Sequence, residues 1–373
     1  MSRIGRIGLG RVQWVAAALV ILVGLVWLAK RPNRQAPAPP APPPVGIEPA
    51  PRPPAAPGKP AQAEPPDIGK DLPKPPSKPT EVLPEPTPER PPVPASDGFA
   101  LIPAGSFSIG NALAASGDGH SNELPVRAVT LSAFQIGQHE VTQALWAEVR
   151  TWAGTHGYTD LPPGMGKAPS HPVQSVNWYA VVKWCNARSE KENLTACYTL
   201  AGQIYRIGDG VPDCNWTANG YRLPTEAEWE KAARGGLSGM RFPWGDTITH
   251  KVANFRNDGG EFYQSGTTGD RPAYGTGAEP YTAPVGAFPA NASGLSDMAG
   301  NVWEWCWDWY GPYPSAAAPD PRGAASGTLR VYRGGSWRSN ACDCRSAARY
   351  YSYPGGSYNY VGFRVVKGVF NDN

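Results

Sequence analysis

Six cysteines, Cys185, Cys197, Cys214, Cys306, Cys342 and Cys344, are the softest ligands and strongest nucleophiles in this 373-residue chain. Two of them, Cys342 and Cys344, flank Asp343 within a segment, residues 332–366, whose composition stands apart. Between Arg338 and Tyr360 it holds five tyrosines and no Leu, Ile, Met, Lys, Glu or Gln. A core segment uses branched aliphatics, and a solvated loop uses Lys and Glu. Rigid amphipathic rings beside adaptable Ser, Asn and Gly make a recognition surface instead, because large rings are costly to leave in water unpartnered. The contacts expected on this reading are Trp337, Arg338, Ser339, Asn340, Cys342, Asp343, Tyr350, Tyr351, Ser352, Tyr353, Ser357, Tyr358, Asn359 and Tyr360. Tyrosines would supply buried area at low entropy cost, with specificity from Asp343, Arg338 and the amides. The plainer alternative is a Gly/Ser-rich loop that closes a domain.

The other cysteines suggest structure. Cys197 and Cys214 flank a turn-rich excursion and form the candidate disulfide of an exported domain, worth ~3 kcal/mol in the chain-entropy model. Cys185 and Cys306 lie among apolar neighbours and read as buried thiols. No CxxC exists, and five scattered histidines argue against zinc.

The elements that must position these groups are short. Residues 99–110 form two strand-like runs around a Pro-Ala-Gly turn, and residues 129–136 form another strand. Leu145, Trp146 and Val149 sit at helical spacing behind Thr142, an N-cap. Residues 175–189 carry Trp178, Val181, Val182 and Cys185 on one helical face. Thr225 with Glu228 makes a capping box, and Gly235 ends that helix. Trp303, Trp305, Trp307 and Trp309 alternate as on a strand and read as core. Arg333-Gly334-Gly335-Ser336-Trp337 is a strand-to-loop switch, and residues 361–366 form a closing strand. About 140 further residues are Gly, Pro, Asn and Trp with little periodicity. This predicts an α+β domain, residues 98–373, rich in irregular loops that need a metal or other staple.

Upstream the composition changes. Of 43 prolines, 25 fall between Pro32 and Pro94. Residues 35–97 are therefore a disordered, polyproline-biased linker that cannot bury enough surface to offset ordering entropy. Before it, an apolar run at 14–29 lies between Arg3, Arg6, Arg11 and Lys30, Arg31, Arg34. Without a good cleavage site, residues 1–34 read as a signal anchor or transmembrane helix. The expected location is a bacterial inner membrane, single-pass, with the domain in the periplasm or otherwise outside the cytoplasm. The net charge of +3 includes no basic stripe, which excludes nucleic acid as the expected partner.

Five ordered motifs carry a resemblance: FQIGQHEVT at 134–142, RLPTEAEW at 222–229, GLSDMAGNVWEW at 294–305, RGGSW at 333–337 and GFR at 362–364. Together they resemble the formylglycine-generating enzyme, or sulfatase-modifying factor, family, which implies a variant of the C-type lectin fold. That family's oxidase holds copper between two cysteines spaced Cys-x4-Cys just after the Gly-Gly-Ser and oxidises a substrate cysteine. Here the two positions fall on Ser339 and Cys344, and a serine oxygen is a poor Cu(I) ligand. Cys342 could substitute, since a two-residue spacing on an extended strand points both side chains the same way. The resemblance also implies structural calcium, held by Asp297, the carbonyls of Gly300 and Val302, and Glu304. A second family calcium site would use Asn254, the Phe255 carbonyl and an acid, for which the nearest residue, Glu279, is out of register.

The final segment also resembles the variable proteins of diversity-generating retroelements, which end in a similar Gly-Gly-Ser-Trp to Gly-Phe-Arg frame. Randomising adenines of AAC-type codons cannot produce Lys, Glu, Gln, Met or Trp, and none occurs at the corresponding positions. Three functions stay open: a display module binding an exported protein or glycan, a formylglycine-generating oxidase using copper, and an accessory domain of an envelope assembly.

Overall fold

The computed structural model describes residues 98–314 and 319–368. The expected anchor and linker lie outside the described residues. Among the described residues, no helix is long and apolar enough to cross a membrane.

Two four-stranded sheets organise the domain. In one, the spatial order is Phe99–Ile102, Phe134–Gly137, Val366–Gly368, Tyr221–Arg222. The other runs Arg349–Ser352, Arg330–Arg333, Trp303–Trp309, Val361–Gly362. A Gly105–Ile109/Arg127–Leu131 ribbon and a three-stranded sheet, Gln203–Ile204, Tyr198–Leu200, Asp213–Cys214, complete the strands. The expected strand at 129–136 is two strands, Arg127–Leu131 and Phe134–Gly137, belonging to different sheets. The closing segment likewise divides: Val361–Gly362 pairs parallel with Trp303–Trp309, while Val366–Gly368 joins the first sheet. This crossing of residues 361–368 ties the two sheets together.

Among the described residues, three α-helices pack on this frame. Helix α1, Gln143–Ala153, starts where Thr142 Oγ1 accepts from the Leu145 amide at 3.1 Å. Helix α2 is Trp178–Lys191, capped by Asn177, so its first turn lies later than the apolar spacing alone suggested. Helix α3, Glu226–Arg234, has the full capping box of Thr225 and Glu228 and ends at Gly235 in the left-handed region. The main apolar core gathers Trp146, Trp178, Trp184, Trp305 and Phe363 between α1, α2 and the Trp303 strand.

A second kind of core is ionic. Arg330, Arg333, Arg345 and Arg364 are among the largest fully buried side chains, although arginine is almost never fully buried unless paired. Arg349 forks onto Glu226 at 2.6 and 2.8 Å, and Arg333 meets Glu230 of the same helix. These pairs fasten the strands Arg330–Arg333 and Arg349–Ser352 to α3. Arg330 is held differently, its guanidinium 3.4 Å from the Trp309 ring centroid and 3.8 Å from that of Trp178. Burial lowers it to about 9 despite Asp308 nearby.

Candidate functional site

The strand register decides which aromatic rings share a face. Tyr332 is opposite Tyr350 on one side and Trp305 on the other. Directly opposed side chains point the same way, so these rings form a row. Trp303 joins it, 4.9 Å from Tyr350 and 5.0 Å from Tyr332 between ring centroids. Tyr358 stacks on Tyr360 at 5.3 Å, and its hydroxyl lies 2.8 Å from Ser352 Oγ. The Arg338 guanidinium sits 4.9 Å over Tyr360, on an exposed side chain. Tyr353 stands free at the edge, 66% exposed. Asp343 is hydrogen-bonded to Tyr350, and burial pushes its carboxyl above the usual range. The result is an aromatic cluster in which Trp303, Trp305 and Tyr332 are buried and Tyr350, Tyr358 and Tyr360 are partly exposed, with a guanidinium and a carboxyl at its edges.

Not every expected contact belongs to it. Alternation along Arg349–Ser352 sends Tyr351 to the opposite face, where it packs 4.0 Å from Tyr310. Trp337 is 3% exposed, packs edge-on against Tyr281 and donates to the Asn359 carbonyl at 3.3 Å. Ser339 is also buried: its hydroxyl lies 3.1 Å from Ser336 Oγ, and its carbonyl accepts from the Arg256 amide. Asn340 and Asn359 are half-buried, and Ser357 is exposed.

The sulfurs fall apart as a pair. Residues Ala341–Cys344 are a 3-10 turn and not an extended strand. At about 120° per residue, a two-residue spacing turns the side chains away from one another. Cys344 points into a small core with Phe242, Phe255 and Tyr263 and has no exposed surface. Gly335 seals it: a Cβ added there would lie 2.5 Å from the Cys344 sulfur, at a φ of +78. Burial, then Asp343 and Cys342, push the Cys344 thiol well up, away from the reactive thiolate. Cys342 faces outward, half-buried, its thiol raised to about 12 by burial and by Asp343. The expected Cys197–Cys214 bridge is also absent, and both residues are free thiols. The ladder sets Cys214 opposite Tyr198, which leaves Cys197 one residue out of register on the alternate face. Cys185 and Cys306 are fully buried, in the place expected for structural thiols.

Beneath the aromatic row lies a cluster of carboxylates. Glu140, Asp297 and Glu304 surround one guanidinium, Arg364, and all four are at most 6% exposed. Arg364 forks onto Glu304 at 2.6 and 2.6 Å, and Trp229 Nε1 donates to the same carboxylate at 2.7 Å. Glu304, expected from its position as a calcium ligand, is here the counter-ion of Arg364. Asp297 keeps one oxygen on the Gly286 amide at 2.6 Å, while its Oδ1 is buried without a hydrogen-bond partner. Burial raises Asp297 to about 6. Burial, then Asp297 and Glu304, hold Glu140 well above the usual carboxylate range. Three buried carboxyls against one cation, with one orphaned oxygen, suit a hard divalent ion. The orphaned Asp297 oxygen is the donor here that would suit calcium, and Glu140, which sequence reasoning missed, adds negative charge beside it. Gly300 and Val302 lie in the same loop, and the Val302 amide donates to Glu140 at 3.3 Å. At the second expected calcium site the named groups have protein partners or face solvent. The Asn254 amide donates to the Tyr281 carbonyl, His250 Nε2 lies 3.0 Å from the Phe255 carbonyl, and Glu279 is exposed.

A family model described as a sulfatase-modifying factor enzyme 1-like domain matches residues 84–369. The chain belongs to that family. A formylglycine-generating enzyme of Thermomonospora curvata is 34% identical to it over 309 residues, covering 75% of this chain and 96% of that protein. The chaperone protein LppX of Paenibacillus barcinonensis is 36% identical over 288 residues, covering 73% and 90%. Among solved structures, Treponema denticola variable protein 1 aligns with a TM-score of 0.57 at 29% identity, covering 73% of this chain and 95% of that one. The sulfatase-modifying factor scaffold thus serves relatives with different names, and both resemblances read from the sequence hold. Which activity a member has depends on its own side chains.

Proposed function

We propose that this sulfatase-modifying factor domain is a recognition module, exported and anchored to the membrane, that binds a protein or glycan through its aromatic face. The partly exposed rings of Tyr350, Tyr358 and Tyr360, backed by the buried Trp303 and Tyr332 and edged by Arg338 and Asp343, carry this reading. Rigid rings lose little entropy on binding, and the flanking ions supply direction. The domain, displayed on a glycan array and panned against a random peptide library, is expected to yield binders of one class. Tyr350→Ala and Arg338→Ala should each weaken such binders about tenfold, or ~1.4 kcal/mol. Binders indifferent to both substitutions would count against the reading, and so would the absence of any binder.

Calcium belongs to the same proposal as a structural ion, held by Asp297 and Glu140, where it would neutralise buried charge and order loops that no apolar core secures.

The 34% identity with a formylglycine-generating enzyme supports a second reading, a copper oxidase of substrate cysteines. A sealed Cys344 and a serine at position 339 oppose it. Incubated with Cu(I), oxygen and a cysteine-containing sulfatase peptide, the protein is expected to form no formylglycine by mass spectrometry. Copper-dependent turnover that disappears in Cys344→Ser would establish the oxidase and displace the recognition reading.

A further inference from the structure

We propose that His120, Cys342 and Asp343 form a binding site for a borderline divalent transition metal, zinc by its ligand chemistry, at the edge of the aromatic face. One ligand atom from each of the three lies within 4.8 Å of the others. Cys342 Sγ is 3.7 Å from Asp343 Oδ1. Ligands of tetrahedral zinc, at bonds of about 2.0–2.3 Å, stand roughly 3.3–3.8 Å apart. One pair already meets that spacing, and a modest shift of an exposed imidazole brings in the third.

The trio is held together by built structure. His120 and Cys342 are 222 residues apart, and among the links between their segments is the Glu123–Arg345 fork, 2.7 Å at both contacts. Both side chains of that pair are buried, at 0% and 2% exposure. Gly119, with a φ of +83, lets the His120 loop pass over this fork: a Cβ there would lie 2.4 Å from Glu123 Oε2. On the other side, the 3-10 turn buries Ala341 and Cys344 and presents Cys342 and Asp343 outward. Tyr350 hydrogen-bonds Asp343 and meets the His120 ring edge-on at 6.3 Å between centroids. Such outer partners orient metal ligands and are worth 10- to 100-fold in affinity.

The donor types choose the metal. One imidazole nitrogen, one thiolate and one carboxylate suit zinc, whereas calcium and magnesium take oxygen alone. Glu261 and Asp258 add negative potential around Cys342, partly offset by the Arg345 guanidinium. Three protein ligands leave a fourth tetrahedral position, which water or a donor group of a molecule on the aromatic face could fill.

The test uses the full chain stripped of metal by a chelator, then titrated with Co(II) as a spectroscopic stand-in and with Zn(II) by calorimetry. One equivalent of Co(II) should produce a thiolate-to-metal charge-transfer band that excess calcium does not remove. Cys342→Ser should abolish the band, and His120→Ala, which removes a ligand outright, should weaken zinc binding by more than the roughly tenfold loss of an outer partner. His120 is exposed, so its alanine variant should keep the wild-type circular dichroism and melting temperature. Cys344→Ala, which alters only the sealed sulfur, should keep the band. The proposal is overturned by the absence of a band, by a band that survives Cys342→Ser, or by unchanged zinc affinity in His120→Ala.

Discussion

Arg364→Ala is expected to cost about 3–5 kcal/mol of folding stability, the range for breaking a buried ion pair from one side. The reason is geometric. Arg364 is completely buried, forks onto Glu304 and donates to the carbonyls of Gly137 and Ser296 at 3.0 and 3.0 Å. Its loss strands Glu304 beside Glu140 and Asp297, so three buried carboxyls face each other without a guanidinium among them. Those carbonyls belong to both sides of the fold, the Phe134–Gly137 strand and the loop before Trp303–Trp309. The melting temperature should fall by on the order of 10 °C. Arg364→Lys should recover little, because an ammonium cannot reproduce the two-pronged contact. A loss below about 1 kcal/mol, the scale of an exposed pair, would show that the cluster is not the keystone described here.

Removal of divalent cations is the second large perturbation. Without an ion, Asp297 carries a pKa near 6 in the folded state against about 3.9 when unfolded. The folded protein therefore holds more protons than the unfolded chain between these values, and stability falls as pH rises through that window. Glu140, raised in the same direction, extends the effect. Calcium bound as proposed would reverse the sign of the problem by stabilising the ionised carboxylates. Its addition at 100-fold over the dissociation constant should contribute about 2.7 kcal/mol, and more of this should appear at pH 7.5 than at pH 5. Asp297→Asn should flatten the pH dependence between about 4 and 6 and remove the calcium response. Identical melting curves with calcium and with chelator at pH 7.5 would eliminate the ion.

Much of this domain was legible along the chain. Thr142, Thr225, Glu228 and Gly235 announced two helices because caps satisfy backbone groups within a few residues, a local chemistry. The motif at 294–305 located the loop of Asp297, whereas the Tyr- and Ser-rich composition of 338–360 covers both partly exposed rings and a buried stretch at 344–349. The missing sulfur at Ser339 was equally plain.

Tertiary pairing alone decided the rest. Tyr350 and Tyr351 are neighbours of identical chemistry, but the register with Arg330–Arg333 sends only the first to the aromatic row. Glu140 gave no sign of proximity to Asp297, since their meeting depends on contacts more than 150 residues long in sequence, such as Asn301 to Glu140. His120 looked like one of five unrelated histidines until Arg345 and Glu123 drew its loop beside Cys342. Cys344 was visible as a sulfur, but only packing showed it closed to substrate. Side-chain type is written residue by residue, whereas charge balance, accessibility and the meeting of donors are properties of the space between distant segments.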